Sequence, residues 1–140
     1  MEELLVYALL LYEGFLLEEE YQKFLDDLFV KNPTDDVLLE LEFMSGSLKE
    51  SIIYIRTHFD YNNFDHEIFG QMLMEKIKVC YDSTELKQFA EKMYSLWESL
   101  PGNIQEEEPF FILSYADDPL SWGDEGQTRE LYEDMLVYYN

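Results

Sequence analysis

The sequence predicts an all-α fold: a single helical domain over residues 1–140, with seven or eight helices packed as helical hairpins and compatible with an α-solenoid. Three observations predict it. Apolar residues recur at three- and four-residue spacing along most of the chain, residues that start and stop helices bracket those runs, and the links between runs are short. The chain has 140 residues, 47% of them apolar and 16% aromatic, which suits one core despite a net charge of -22. Such a core buries roughly two-thirds of the unfolded surface. No fixed-period repeat with matching residues emerges.

The elements follow in order. Leu4, Leu5, Ala8, Leu9 and Tyr12 share a helical face, and Gly14 offers a left-handed stop. Tyr21, Phe24, Leu25, Leu28 and Phe29 continue the period to Asn32-Pro33, which completes a helical hairpin. Thr34, followed by Asp35 and Asp36, is expected to cap a third helix through Val37, Leu38, Leu41 and Met44, with Gly46 near its end. Residues 37–43 also alternate apolar and acidic side chains, as an edge strand would; the start and stop signals favour helix. Ser47 and Glu50 have capping-box spacing ahead of Leu48, Ile52, Ile55 and Phe59. Asp65 opens a helix with Phe69, Met72, Leu73, Ile77 and Cys80 on one side. Asp82 with Glu85 is expected to open the next, carrying Leu86, Phe89, Ala90, Met93, Trp97 and Leu100 up to the stop at Pro101-Gly102-Asn103. Pro109 leads into a short helix that ends near Asp117-Asp118-Pro119, residues 120–127 read as a loop, and Leu131, Met135, Leu136 and Tyr139 mark a terminal helix.

Charge is distributed unevenly. The net charge is -6 over residues 1–22, -4 over 23–46, -3 over 47–100 and -9 over 101–140. A coat serving only solubility has no need of that pattern. A field of this sign repels phosphates and anionic lipid, so neither direct nucleic-acid binding nor membrane binding is expected. The uncharged stretch at residues 4–12 lies between Glu2, Glu3 and Glu13 and lacks the basic flank of a signal peptide. It is also too short to span a bilayer. The expectation is a cytoplasmic protein whose first helix belongs to the core.

No catalytic, cofactor or metal site is expected. The paired carboxylates Asp117-Asp118 and Asp124-Glu125 lack the alternating ligands, obligatory glycine and distal glutamate of a hard-cation loop, and Pro119, Leu120 and Trp122 interrupt their spacing. His58, His66 and Cys80 do not make a zinc spacing, and no activating base is identifiable for Cys80 as a nucleophile. The run of residues 42–48 has no nucleophile elbow, and the chain has no phosphate-binding glycine loop.

The remaining feature is a densely acidic C-terminal stretch with aromatic residues in it. Glu106, Glu107, Glu108, Asp117, Asp118, Asp124 and Glu125, together with Tyr115, Trp122 and Tyr132, are the candidate partner-binding residues. Aromatic anchors supply much of the energy at protein interfaces, while the surrounding charges set the association rate and choice of partner.

Residues 32–56 combine an Asn/Asp-rich turn, the run Leu-Leu-Glu-Leu-Glu at 38–42 and a following amphipathic helix. In this the chain resembles small bacterial immunity proteins of polymorphic toxin and contact-dependent inhibition systems. The resemblance implies a cytoplasmic, noncatalytic inhibitor that binds a cognate basic toxin domain, often a nuclease. It carries no site residues with it. Two other readings fit the composition: an acidic mimic of nucleic acid that antagonises a DNA-binding protein, and a carboxylate-dependent metal enzyme.

Overall fold

The computed structural model describes residues 1–44 and 46–140; Ser45, inside both the 32–56 and the 42–48 stretches, lies outside the described residues. Among the described residues the fold is all-α, with eight α-helices, one 3-10 helix and no strand. No helix among them is long and apolar enough to cross a membrane. Contacts gather into two compact units, one of Met1 with residues 3–60 and one of Glu2 with residues 61–140.

The first unit holds α1 (Glu2–Tyr12) except its first residue, α2 (Glu18–Lys31), α3 (Asp36–Phe43) and α4 (Leu48–His58). In α1, Leu4, Leu5, Val6, Ala8, Leu9, Leu10 and Leu11 are all buried, so most of its circumference is covered. Tyr12, expected on the buried face, is 62% exposed instead, with the Arg56 guanidinium 5.9 Å from its ring centroid. Gly14 has φ 79 and ends the helix in a Schellman motif, with Phe15 N–H bonding Leu10 C=O and Gly14 N–H bonding Leu11 C=O. Tyr21 and Leu25 of α2 join Leu4, Ala8, Leu38, Leu41 and Ile55 in this unit's core, and Tyr7 stacks on Phe24 at 3.9 Å.

Residues 37–43 are helical. The cap of α3 is Asp35 and not Thr34: its carboxylate accepts from Val37 N–H at 2.9 Å and Leu38 N–H at 3.1 Å. The reason is the preceding turn. Asp35 N–H closes onto Asn32 C=O at 3.1 Å, which places Pro33 and Thr34 at the corner and brings Asp35 to the capping position. Ser47 caps α4 by accepting from Glu50 N–H at 3.4 Å.

The second unit holds α5 (His66–Ser83), α6 (Leu86–Ser99), the 3-10 helix Phe110–Ser114, α7 (Asp118–Ser121) and α8 (Glu125–Leu136). Asp65 caps α5, its carboxylate accepting from Glu67 and Ile68 N–H. Asp82 does not open the next helix: α5 runs through it to Ser83, and α6 starts after Glu85 without a side-chain cap. On α6, Leu96 fills the core at 0% exposure, while Trp97 is half-buried and donates from Nε1 to Gln105 C=O at 2.9 Å. That bond ties the 101–105 turn back to the helix. Aromatic rings dominate this core, with Phe69 against Phe64 and Phe110, and Phe89 against Tyr81 and Tyr132.

Candidate functional site

The stretch expected to be a loop at 120–127 is largely built structure. Asp118–Ser121 forms one helical turn, Gly123 takes φ 91, and α8 begins at Glu125. Two bonds secure this corner. Leu120 N–H donates to the fully buried Thr128 hydroxyl at 2.9 Å, and Asp124 N–H donates to Pro119 C=O at 2.8 Å. Trp122 projects from it, 68% exposed.

The ten candidate residues do not act as one surface. Asp118, Asp124, Glu125 and Trp122 share the α7–α8 corner and are exposed. Two of the acids there also have local partners: Asp124 caps α8 by accepting from Gln127 N–H at 3.0 Å, and Glu125 pairs with Arg129 at 2.9 Å. Tyr115 is half-buried against Phe111.

Tyr132 requires a correction. It is 0% exposed, with its ring edge-on to Phe89 at 4.9 Å, so it belongs to the core and presents nothing to a partner. Position explains this: on α8 it falls one turn after buried Thr128 and one turn before buried Leu136, on the inward stripe. Its hydroxyl and Asp117 Oδ1 are buried, and neither has a hydrogen-bond partner among the described residues. Burial, and then the Asp117 charge, push the phenol pKa up. Burial first, and then Asp118, hold the Asp117 carboxyl above its ordinary value despite its backbone hydrogen bond.

Glu106, Glu107 and Glu108 are exposed on a separate turn before Pro109, whose peptide bond is cis. Glu107 bonds His66 Nδ1 at 2.9 Å. Glu107 and Glu108 border a cleft of about 520 Å³ also lined by His66, Glu67, Phe110, Tyr138, Tyr139 and Asn140. None of the candidates from 115 to 132 lines it. Tyr139 lies across Gly70 of α5 so closely that a Cβ at that position would collide with its hydroxyl. Its phenol pKa is pushed up to about 12, by burial first and then by Tyr138, Glu67 and Glu107.

Sequence reasoning missed His66, Glu67, Tyr138 and Tyr139 as a group. The usable signals were the Asp65 cap, which sets two polar residues at a helix start, and the tyrosine pair after α8. Nothing in either segment indicates that they meet. Among the described residues no group of three or more His, Cys, Asp or Glu side chains is arranged to hold a metal ion. Compared with protein-family models, curated proteins and solved structures, the chain matches none.

Proposed function

We propose that this protein is a noncatalytic acidic binding module that acts as an immunity protein, inhibiting a cognate basic toxin domain in the cytoplasm. One observation supports the reading above the others: Trp122 stands 68% exposed among Asp118, Asp124 and Glu125, in a chain of net charge -22. A large exposed aromatic side chain with exposed carboxylates close to it in the chain suits an interface with a positively charged partner. A toxin domain that grips phosphate offers such a partner, and an acidic blocker covers the same surface by charge complementarity.

The test is association with the basic protein captured from the native host. Asp118→Lys with Glu125→Lys should slow association at low salt, and added salt should slow the parent protein toward the same rate. Trp122→Ala should act chiefly on dissociation. Equal association rates for parent and charge-reversed protein at low salt reject this placement. Indiscriminate competition with DNA for unrelated basic proteins points instead to nucleic-acid mimicry.

A further inference from the structure

The cleft beside Pro109 has a chemistry that the α7–α8 corner lacks. Three chain segments converge on it: the start of α5 brings His66 and Glu67, the 106–108 turn brings Glu107 and Glu108, and the residues after α8 bring Tyr138 and Tyr139. Phe110, 1% exposed, closes its floor. Its lining holds three carboxylates and no lysine or arginine, so an anion is disfavoured there. The α5 helix start would ordinarily favour an anion, but Asp65 already accepts from the Glu67 and Ile68 N–H groups.

We propose that this cleft receives an arginine side chain of the protein partner, with the guanidinium lying against the Tyr139 ring and bonding the Glu67 carboxylate and Oε1 of Glu107, whose Oε2 stays with His66. The proposal rests on the binding reading above and adds a second, chemically specific contact to it. A planar guanidinium suits the site better than an ammonium. It stacks on aromatic faces, sheds water more easily and presents several N–H groups to carboxylates on different walls. The cleft volume of about 520 Å³ lies in the usual range for small-ligand sites and admits a side chain of this length.

The test needs no partner. The intact protein is titrated at low salt with N-acetyl-arginine amide, and the ring protons of His66, Tyr138 and Tyr139 are followed by NMR. Saturable shifts are expected, with the neutral isostere N-acetyl-citrulline amide binding about tenfold more weakly. The lysine analogue should fall between the two. Glu67→Gln, at an exposed position, should weaken the arginine probe about fivefold, and Gly70→Ala should weaken it further by displacing Tyr139. Retained helical circular dichroism shows that the variants are folded. Equal affinity for the arginine and citrulline probes overturns the proposal, as do shifts centred on Trp122 or indifference to both substitutions. Such a failure leaves the salt-dependent association through Asp118 and Glu125 intact, whereas failure of that association leaves probe binding untouched.

Discussion

Replacing Tyr132 with phenylalanine should stabilise the protein, although Tyr132 is among the most deeply buried side chains. The ring contributes through packing at 0% exposure and an edge-on contact with Phe89 at 4.9 Å, and phenylalanine keeps both. The hydroxyl has no hydrogen-bond partner among the described residues and lies in the field of Asp117, whose Oδ1 is likewise unpartnered. A buried polar group left unsatisfied costs about 1–3 kcal/mol, so its removal should raise stability by about 1 kcal/mol. Tyr132→Ala, which empties the ring site, should lose about 3–5 kcal/mol. Urea unfolding monitored by circular dichroism measures both, as a change in midpoint at constant slope. A loss of about 1 kcal/mol or more in Tyr132→Phe would refute the reasoning, because it would mean the hydroxyl makes a bond worth having. The same region sets a pH dependence. Asp117 has a raised carboxyl pKa in the fold, so the native state holds its proton more tightly than the unfolded state. The stability it contributes is therefore present at pH below the unfolded value and lost as pH rises through the folded one. Asp117→Asn should accordingly gain on the parent as pH climbs from about 4, then level off.

Three other outcomes are expected. Asp35→Ala removes two capping bonds from α3 and should cost about 1 kcal/mol in unfolding free energy, whereas Thr34→Ala should cost far less. Gly14→Ala should destabilise by about 1 kcal/mol because the left-handed φ of 79 strains any residue with a Cβ, as thermal unfolding would reveal. Gly70→Ala forces a methyl against the Tyr139 hydroxyl and should cost about 1–3 kcal/mol, and Tyr139→Phe in the same chain should recover part of that loss.

The helices were legible because their signals are local. Gly14, Ser47 and Asp65 each act on amides within a few residues, and the spacing of Phe69, Leu73 and Ile77 needs only a 3.6-residue period. The errors also have local causes. Thr34 and Asp35 are both good caps, and the choice fell to the turn at Asn32, while Asp82 resembled a helix start because Glu85 follows it at capping-box spacing. The site was far less legible. Acidic density singled out Trp122 and its neighbours as candidates, but it could not separate Tyr132, one helical turn past a buried threonine, from a surface aromatic. Nor could it join Glu67 to Glu107, forty residues apart, since cross-chain pairing of polar residues leaves no periodic trace.

The hydroxyl of Thr128, buried at 0% exposure and receiving Leu120 N–H, determines how the corner behaves in solution as well as its shape. A flexible loop would surrender many conformations when its tryptophan docked, and that entropy would be taken from the affinity. Here the amides of Leu120 and Asp124 are already engaged, so the indole is presented on a scaffold whose order is supplied by folding. Thr128→Val keeps the shape and deletes the acceptor. It should leave the helices in place and speed hydrogen exchange at Leu120, and, on the proposed reading, weaken association through Trp122 while leaving the indole itself unaltered.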